Sequence, residues 1–186
     1  MSGLADDRVA PARIEPVDGR ASPTWAETVI LQEPFGSDGV RFVVSRAEEE
    51  LVARYGGLAP EELGLSAVMF DPPAGTFLVA RSRDGVVVGG VGVRPLQVAS
   101  RVGEVKRLWV DPQWRRRGLG RTLMDEIESV ALRLGFSSLD LATGDNQPEA
   151  VALYEGSDWV HRREDHNGAR LPDWHLQFSK TLRDEG

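Results

Sequence analysis

Cysteine is absent from the 186 residues, which excludes disulfides, thiolate metal sites and a cysteine nucleophile. Any acyl group handled by this chain must therefore avoid an enzyme thioester. Lysine is scarce as well. Nearly all of the 22 basic residues are arginine, a bias that suits fixed contacts to phosphate but is explained as readily by GC-rich coding. No apolar run approaches the roughly 20 residues that span a bilayer. The opening residues, with Asp6, Asp7 and Arg8 and no apolar core, do not read as a signal peptide, so no membrane partner is expected and the expected compartment is the cytoplasm. Positive charge is also lacking overall: a net charge of -7 and a pI near 5.0 argue against a general nucleic-acid binder, which needs a basic face.

What is present is the balance of a soluble globular chain, 41% hydrophobic and 27% charged, of a size that fits one domain. Residues 1 to 25 are rich in Ala, Pro, Asp, Gly and Arg without apolar periodicity and read as a flexible tail. The remaining residues, 26 to 186, are expected to form the domain. A first strand is expected over Thr28 to Leu31. Ser45, with Glu48 three residues on, has the form of a capping box opening a helix that runs to Arg54. Residues 59 to 75, with Pro60, Pro72 and Pro73, read as a loop with about one helical turn. Strands follow over Thr76 to Arg81 and Val86 to Val93, joined by the hairpin signal Arg83, Asp84, Gly85. Gly89, Gly90 and Gly92 suggest a bulge or a close backbone approach in the second of these. A third strand covers Glu104 to Val110.

From Leu119 the period becomes helical, with Leu119, Leu123, Ile127, Val130 and Leu134 on one stripe and Gly135 as the stop. Leu139 to Thr143 is then a strand parallel to its predecessor. A short helix over Pro148 to Glu155 follows, and strands over Trp159 to Arg163 and Trp174 to Leu182, separated by a turn at Asn167 and Gly168, end the pattern.

The most informative segment joins the third strand to the long helix. Arg115, Arg116, Arg117, Gly118, Leu119, Gly120 and Arg121 form a basic, glycine-bearing turn at a helix N-terminus, where free amides and the helix dipole favour an anion. Gly118 and Gly120 let the main chain approach the oxygens, and the arginines can add charged hydrogen bonds. An ordinary helix start with a solvated basic run is the competing interpretation. The P-loop and the Gly-x-Gly-x-x-Gly dinucleotide turn do not fit, and Gly90 to Gly92, inside a strand, is structural.

Arg115-x-x-Gly118-x-Gly120 matches the Arg/Gln-x-x-Gly-x-Gly/Ala signature of the GNAT superfamily of acetyl-CoA-dependent N-acetyltransferases. Glu104 to Val110 resembles that family's fourth strand. Thr143 to Ala150 with Leu153, Tyr154 and Glu155 resembles its later Asn, Ala, Leu-Tyr segment, and Phe178 to Leu182 its last strand. Residues 76 to 182 are covered; the first 75 match loosely. The resemblance implies an α/β (α+β) fold: a mixed, mostly antiparallel, six- to seven-stranded V-shaped sheet with helices on both faces. Acetyl-CoA would enter between the parallel fourth and fifth strands. Leu108, Trp109 and Val110 would pair with its pantetheine arm, the amides of Arg115 to Gly120 and the adjoining Arg121 would hold its diphosphate, and Asn146 would touch it from the far side. Asp158 stands where the family has glycine, which puts that turn in question.

By the same resemblance, Glu104 is the general base, direct or through water, and Tyr154 the acid for the departing thiolate. Residue by residue, Glu104 is equally a strand carboxylate paired with Lys106 or an arginine, and Tyr154 equally a core residue. The oxyanion would take an amide near Val110. His161, His166 and His175 lack a zinc pattern and are expected on the surface or in turns, with no metal bound. Trp109 and Trp114 are expected to pack. A non-catalytic acyl-CoA sensor and a nucleic-acid module using Trp114 to Arg117 are the rivals. The acceptor is expected to be a primary amine of a small molecule, with a peptide or protein amine as the alternative, and dimerisation, common in the family, is implied only as an option.

Overall fold

The computed structural model describes residues 28–58, 62–164, 169–170 and 175–183; the tail assigned to residues 1 to 25 and the Asn167, Gly168 turn lie outside them. Seven strands form one sheet: β1 (Thr28–Glu33), β2 (Thr76–Ser82), β3 (Val87–Pro95), β4 (Val102–Val110), β5 (Ser138–Gly144), β6 (Val160–Arg162) and β7 (His175–Thr181). Their order is β1-β2-β3-β4-β5-β7-β6. All neighbours are antiparallel except β4 and β5, the one pair joined by a crossover helix.

That helix, α3 (Leu119–Arg133), buries Leu119, Leu123, Ile127 and Val130 against one face of the sheet, as its periodicity predicts. Gly135 ends it at φ +92°, in the left-handed region where only glycine is unstrained. The other face carries α1 (Asp38–Tyr55) and the single turn α2 (Ala67–Phe70), whose Val40, Val43, Ala47 and Phe70 pack on Phe77, Val79 and Trp109. A fourth helix, α4 (Pro148–Glu155), follows β5.

The first helix corrects the sequence expectation. It begins two turns before Ser45, at the Ser37 cap, whose hydroxyl accepts the Val40 amide at 3.1 Å. Ser45 lies mid-helix and donates to Glu49 at 3.1 Å, while Glu48 reaches Arg107 rather than a capping amide. The stretch from Gly39 to Val44 has poor helix propensity. Burial of Val40 and Val43 against the sheet overrides it.

In β3 the glycines serve close packing. A methyl group on Gly92 would lie 2.7–2.9 Å from the Phe77 and Phe70 rings, and one on Gly90 3.0 Å from Val43, so α1 and the phenylalanines rest on bare backbone. The two phenylalanine rings stand 6.0 Å apart. Asp158 adopts φ +61°. Aspartate tolerates this left-handed conformation better than most residues.

Candidate functional site

Two irregularities of β4 create the site. Its pairing with β5 stops after Val102, Gly103 and Glu104, so the remainder of β4 diverges from Leu141–Gly144 and leaves a wedge open. In addition, Gly90 pairs with Trp109 but Gly92 with Lys106, so Arg107 and Leu108 together oppose Val91. This is a β-bulge, with Arg107 at φ +57°, and a bulge re-aims side chains. Lys106, Arg107 and Trp109 all point toward the α1 side, whereas Val105, Leu108 and Val110 pack toward α3.

The turn after β4 is built stepwise. Asp111 accepts the Gln113 amide at 2.8 Å and opens a 3-10 turn over Pro112–Trp114. Arg116 at φ +59° and Gly118 at φ +93° then curl the chain into the start of α3. Left-handed residues in such a turn gather amides into an anion-sized concavity. The helix adds the N–H groups of its first turn, Leu119, Gly120 and Arg121, which have no acceptor within α3. Thr122 is the first to bond back, to the Gly118 carbonyl at 3.0 Å.

The arginines divide. Arg116 is exposed, Arg121 donates to the Gly156 carbonyl at 2.8 Å, and Arg115 turns inward. Its Nε donates to the Val110 carbonyl at 2.7 Å and its guanidinium pairs with Glu50 of α1. It braces the turn from beneath.

A cavity of about 630 Å³ occupies the wedge. Its walls are the bulged half of β4 (Val105 to Trp109), the end of β5 (Leu141 to Gly144), the last turns of α1 with Glu50 and Tyr55, and Tyr154 of α4. Tyr154 is buried, its ring 5.5 Å from that of Phe178 and 5.9 Å from that of Trp159. Burial pushes its phenol well above the ordinary tyrosine range, so it is a neutral O–H donor.

Glu104 does not line this cavity. Its carboxylate accepts Arg94 Nε at 2.9 Å and faces Lys106 Nζ at 3.0 Å. Lys106 in turn donates to Glu62 at 2.6 Å, and Arg107, almost wholly buried, is held by Glu62 and Glu48. Burial by itself would raise the Glu62 carboxyl; Lys106 and Arg107 outweigh that and hold it below the usual range. The result is a charge-balanced network of three cations and three carboxylates, of which Glu62, Lys106 and Arg107 line the cavity.

Asn146 is exposed, and its carbonyl accepts Arg54 at 2.7 Å. His161 is exposed and lies against Phe178, with ring centroids 5.2 Å apart; His166 falls outside the described residues. His175 departs from expectation. The β5–β7 register sets it opposite Gly144, at the end of the wedge, where it lines the cavity. Trp109 packs as expected, edge-on to Phe42, with its indole N–H donated to Glu50 at 2.9 Å. Among the described residues no cluster of His, Asp or Glu is arranged for a metal, and no helix is long and apolar enough to cross a membrane.

Glu50, Tyr55, Glu62 and Arg107 were not singled out from the sequence. A signal existed for Glu50 and Arg54, since Val43, Ala47, Glu50 and Arg54 form one helical stripe once α1 is phased from Ser37.

The profile of the Acetyltransferase (GNAT) family matches residues 38–157. A protein named IAA acetyltransferase from Azospirillum brasilense is 39% identical over 116 residues, 61% of this chain and 74% of that protein. A candidate acyl-CoA N-acyltransferase from Klebsiella pneumoniae has the same fold, with a TM-score of 0.66 at 23% identity over 85% of this chain and 99% of that one. A GNAT family acetyltransferase from Elizabethkingia anophelis, solved with acetyl-CoA bound, superposes with a TM-score of 0.58 at 15% identity over 84% of this chain and 99% of that one. By the extent of the family match and the architecture around its open wedge, this chain belongs to the GNAT family and is an N-acetyltransferase.

Proposed function

We propose that the chain transfers an acetyl group from acetyl-CoA to a primary amine of a small molecule, by direct attack while both are bound. One observation carries this: the half of β4 left unpaired by β5 and a buried neutral phenol line one cavity, and the same strand runs on directly into a turn of backbone amides at the start of α3. The residues present fit the carrier. The amides from Arg116 to Arg121 suit its diphosphate. Gly120 keeps the approach clear, with only Leu153 and Val110 near the place of its missing Cβ, at 3.6 and 3.9 Å. The free edge of β4 at Leu108 to Val110 offers main-chain partners to the amides of the pantetheine arm.

When bound, acetyl-CoA supplies the activated acetyl group as a thioester. Tyr154 holds the proton that the departing sulfur needs, and burial favours its protonated form by raising the phenol above the ordinary tyrosine range. A backbone amide of the bulged segment near Val110 stabilises the carbonyl oxygen as it becomes negative. The acceptor must lose a proton before it attacks. Glu104 stands outside the cavity between Arg94 and Lys106, so its part in deprotonation runs through water rather than by direct contact.

The test uses the lack of cysteine. A thiol reagent in the assay reports released CoA without background from the protein, so an amine panel can be screened directly. Thiol release dependent on amine and enzyme supports the proposal. Tight acetyl-CoA binding without release for any amine would replace it with the sensor.

A further inference from the structure

Glu50, on the fourth turn of α1, makes more connections across the site than any role assigned above requires. Its Oε1 accepts the Trp109 indole N–H at 2.9 Å and also takes the Arg115 guanidinium. Its Oε2 faces Arg54 at 3.7 Å. Arg54 continues across the wedge, donating to the Asn146 carbonyl at 2.7 Å and pairing with Glu149 on α4. The charges alternate along this relay: Arg115, Glu50, Arg54, Glu149. Its first member belongs to the turn before α3 and its last to the β5 side of the wedge, so the relay spans the two arms that β4 and β5 leave unpaired.

The turn depends on this hold. Arg115 reaches the Val110 carbonyl through Nε alone; the remaining donors of its planar fork need an acceptor, and Glu50 supplies it. Without that carboxylate the guanidinium keeps its Nε bond to Val110, but the turn from Arg115 to Gly118 loses its brace to α1. The amides that follow it would then no longer be pre-set for an anion. Preorganisation of this kind contributes to affinity because ordering the turn is not charged to the binding step.

We propose that Glu50 is a positioning residue of the acyl-CoA site, acting through Arg115 to hold the amide-bearing turn in its binding shape from the α1 side of the cavity. The proposal rests on acetyl-CoA being the carrier. It predicts that Glu50→Gln, isosteric and still able to accept the indole N–H, weakens acetyl-CoA about threefold to tenfold. The loss should appear in Kd and in the KM for acetyl-CoA, with kcat at saturating carrier nearly unchanged.

The experiment is calorimetric titration of the full chain with acetyl-CoA, for the wild type, Glu50→Gln, Arg115→Gln and the double variant, with a melting curve for each. If Glu50 acts through Arg115, the double variant binds no more weakly than Arg115→Gln alone. Unchanged affinity in Glu50→Gln, or losses that simply add, would overturn the assignment, and so would a fall in melting temperature with affinity intact. Should Glu50→Gln fail to fold, the charge-retaining Glu50→Asp, alone and with Arg115→Gln, carries the same comparison. A wild type that binds no acetyl-CoA refutes the carrier itself, an outcome distinct from a bound carrier indifferent to Glu50.

Discussion

Replacing Tyr154 by phenylalanine separates the chemistry of this residue from its packing. The ring contacts Trp159 and Phe178 at 5.9 and 5.5 Å, and phenylalanine keeps both aromatic pairs and nearly all the volume. Removing one hydroxyl should therefore change stability by about 1 kcal/mol or less, a small shift in melting temperature. A general acid contributes roughly 10²- to 10⁴-fold, which corresponds to about 3 to 5 kcal/mol of barrier. The expected variant is folded, binds acetyl-CoA as the wild type does, and has kcat reduced by roughly that factor. Burial raises the phenol above its ordinary 10.0, so the wild-type rate should show no alkaline limb in the ordinary tyrosine range. Steady-state kinetics with a thiol reagent, with calorimetry for the carrier, measure all of this. An unchanged kcat in Tyr154→Phe, or a loss residing wholly in acetyl-CoA affinity, would refute the role assigned to the hydroxyl.

The other perturbations probe separate parts of the site. Gly120→Val should leave the fold intact, because a Cβ there meets only ordinary contacts at 3.6 and 3.9 Å, yet abolish acetyl-CoA binding by filling the approach to the amides; retained affinity measured by calorimetry would move the phosphate cradle elsewhere. Glu104→Gln should lower kcat/KM by about tenfold or less, since Arg94 and Lys106 lose a shared partner rather than a direct base; a far larger drop confined to the acid side of a pH-rate profile would restore that direct role. Glu62 governs an acid sensitivity. Its folded-state pKa lies below 4.5, so on acidification the unfolded chain takes up this proton first. The stability it contributes is full above about pH 4.5 and disappears as the pH falls through the folded value. Melting temperatures recorded against pH should fall less steeply in that window for Glu62→Gln than for the wild type. Gly92→Ala should destabilise the fold by about 1 to 3 kcal/mol, because its methyl group would lie 2.7 Å from the Phe77 ring; a chemical denaturation midpoint equal to the wild type's would contradict the close packing.

Elements whose signals are local to the chain were legible in the residues alone. The hairpin at Gly85, the stripe and glycine stop of α3, and the basic turn from Arg115 to Gly120 each follow from backbone preferences and periodicities within a few neighbouring residues, and the order of those motifs pointed to the family. The other features depend on contacts between segments far apart in the chain. The phase of α1 was set by burying Val40 and Val43 against the sheet, which moved the helix start from Ser45 back to Ser37. The bulge at Arg107 arises from how β4 meets β3, and it reverses the alternation that strand period alone would assign. Charged side chains choose partners by proximity in space, so Glu104, which the family pattern marks as a base, is found between Arg94 and Lys106, while Glu50, which no motif marks, holds the turn. A one-dimensional pattern specifies which way the chain bends, but only packing specifies which charges meet.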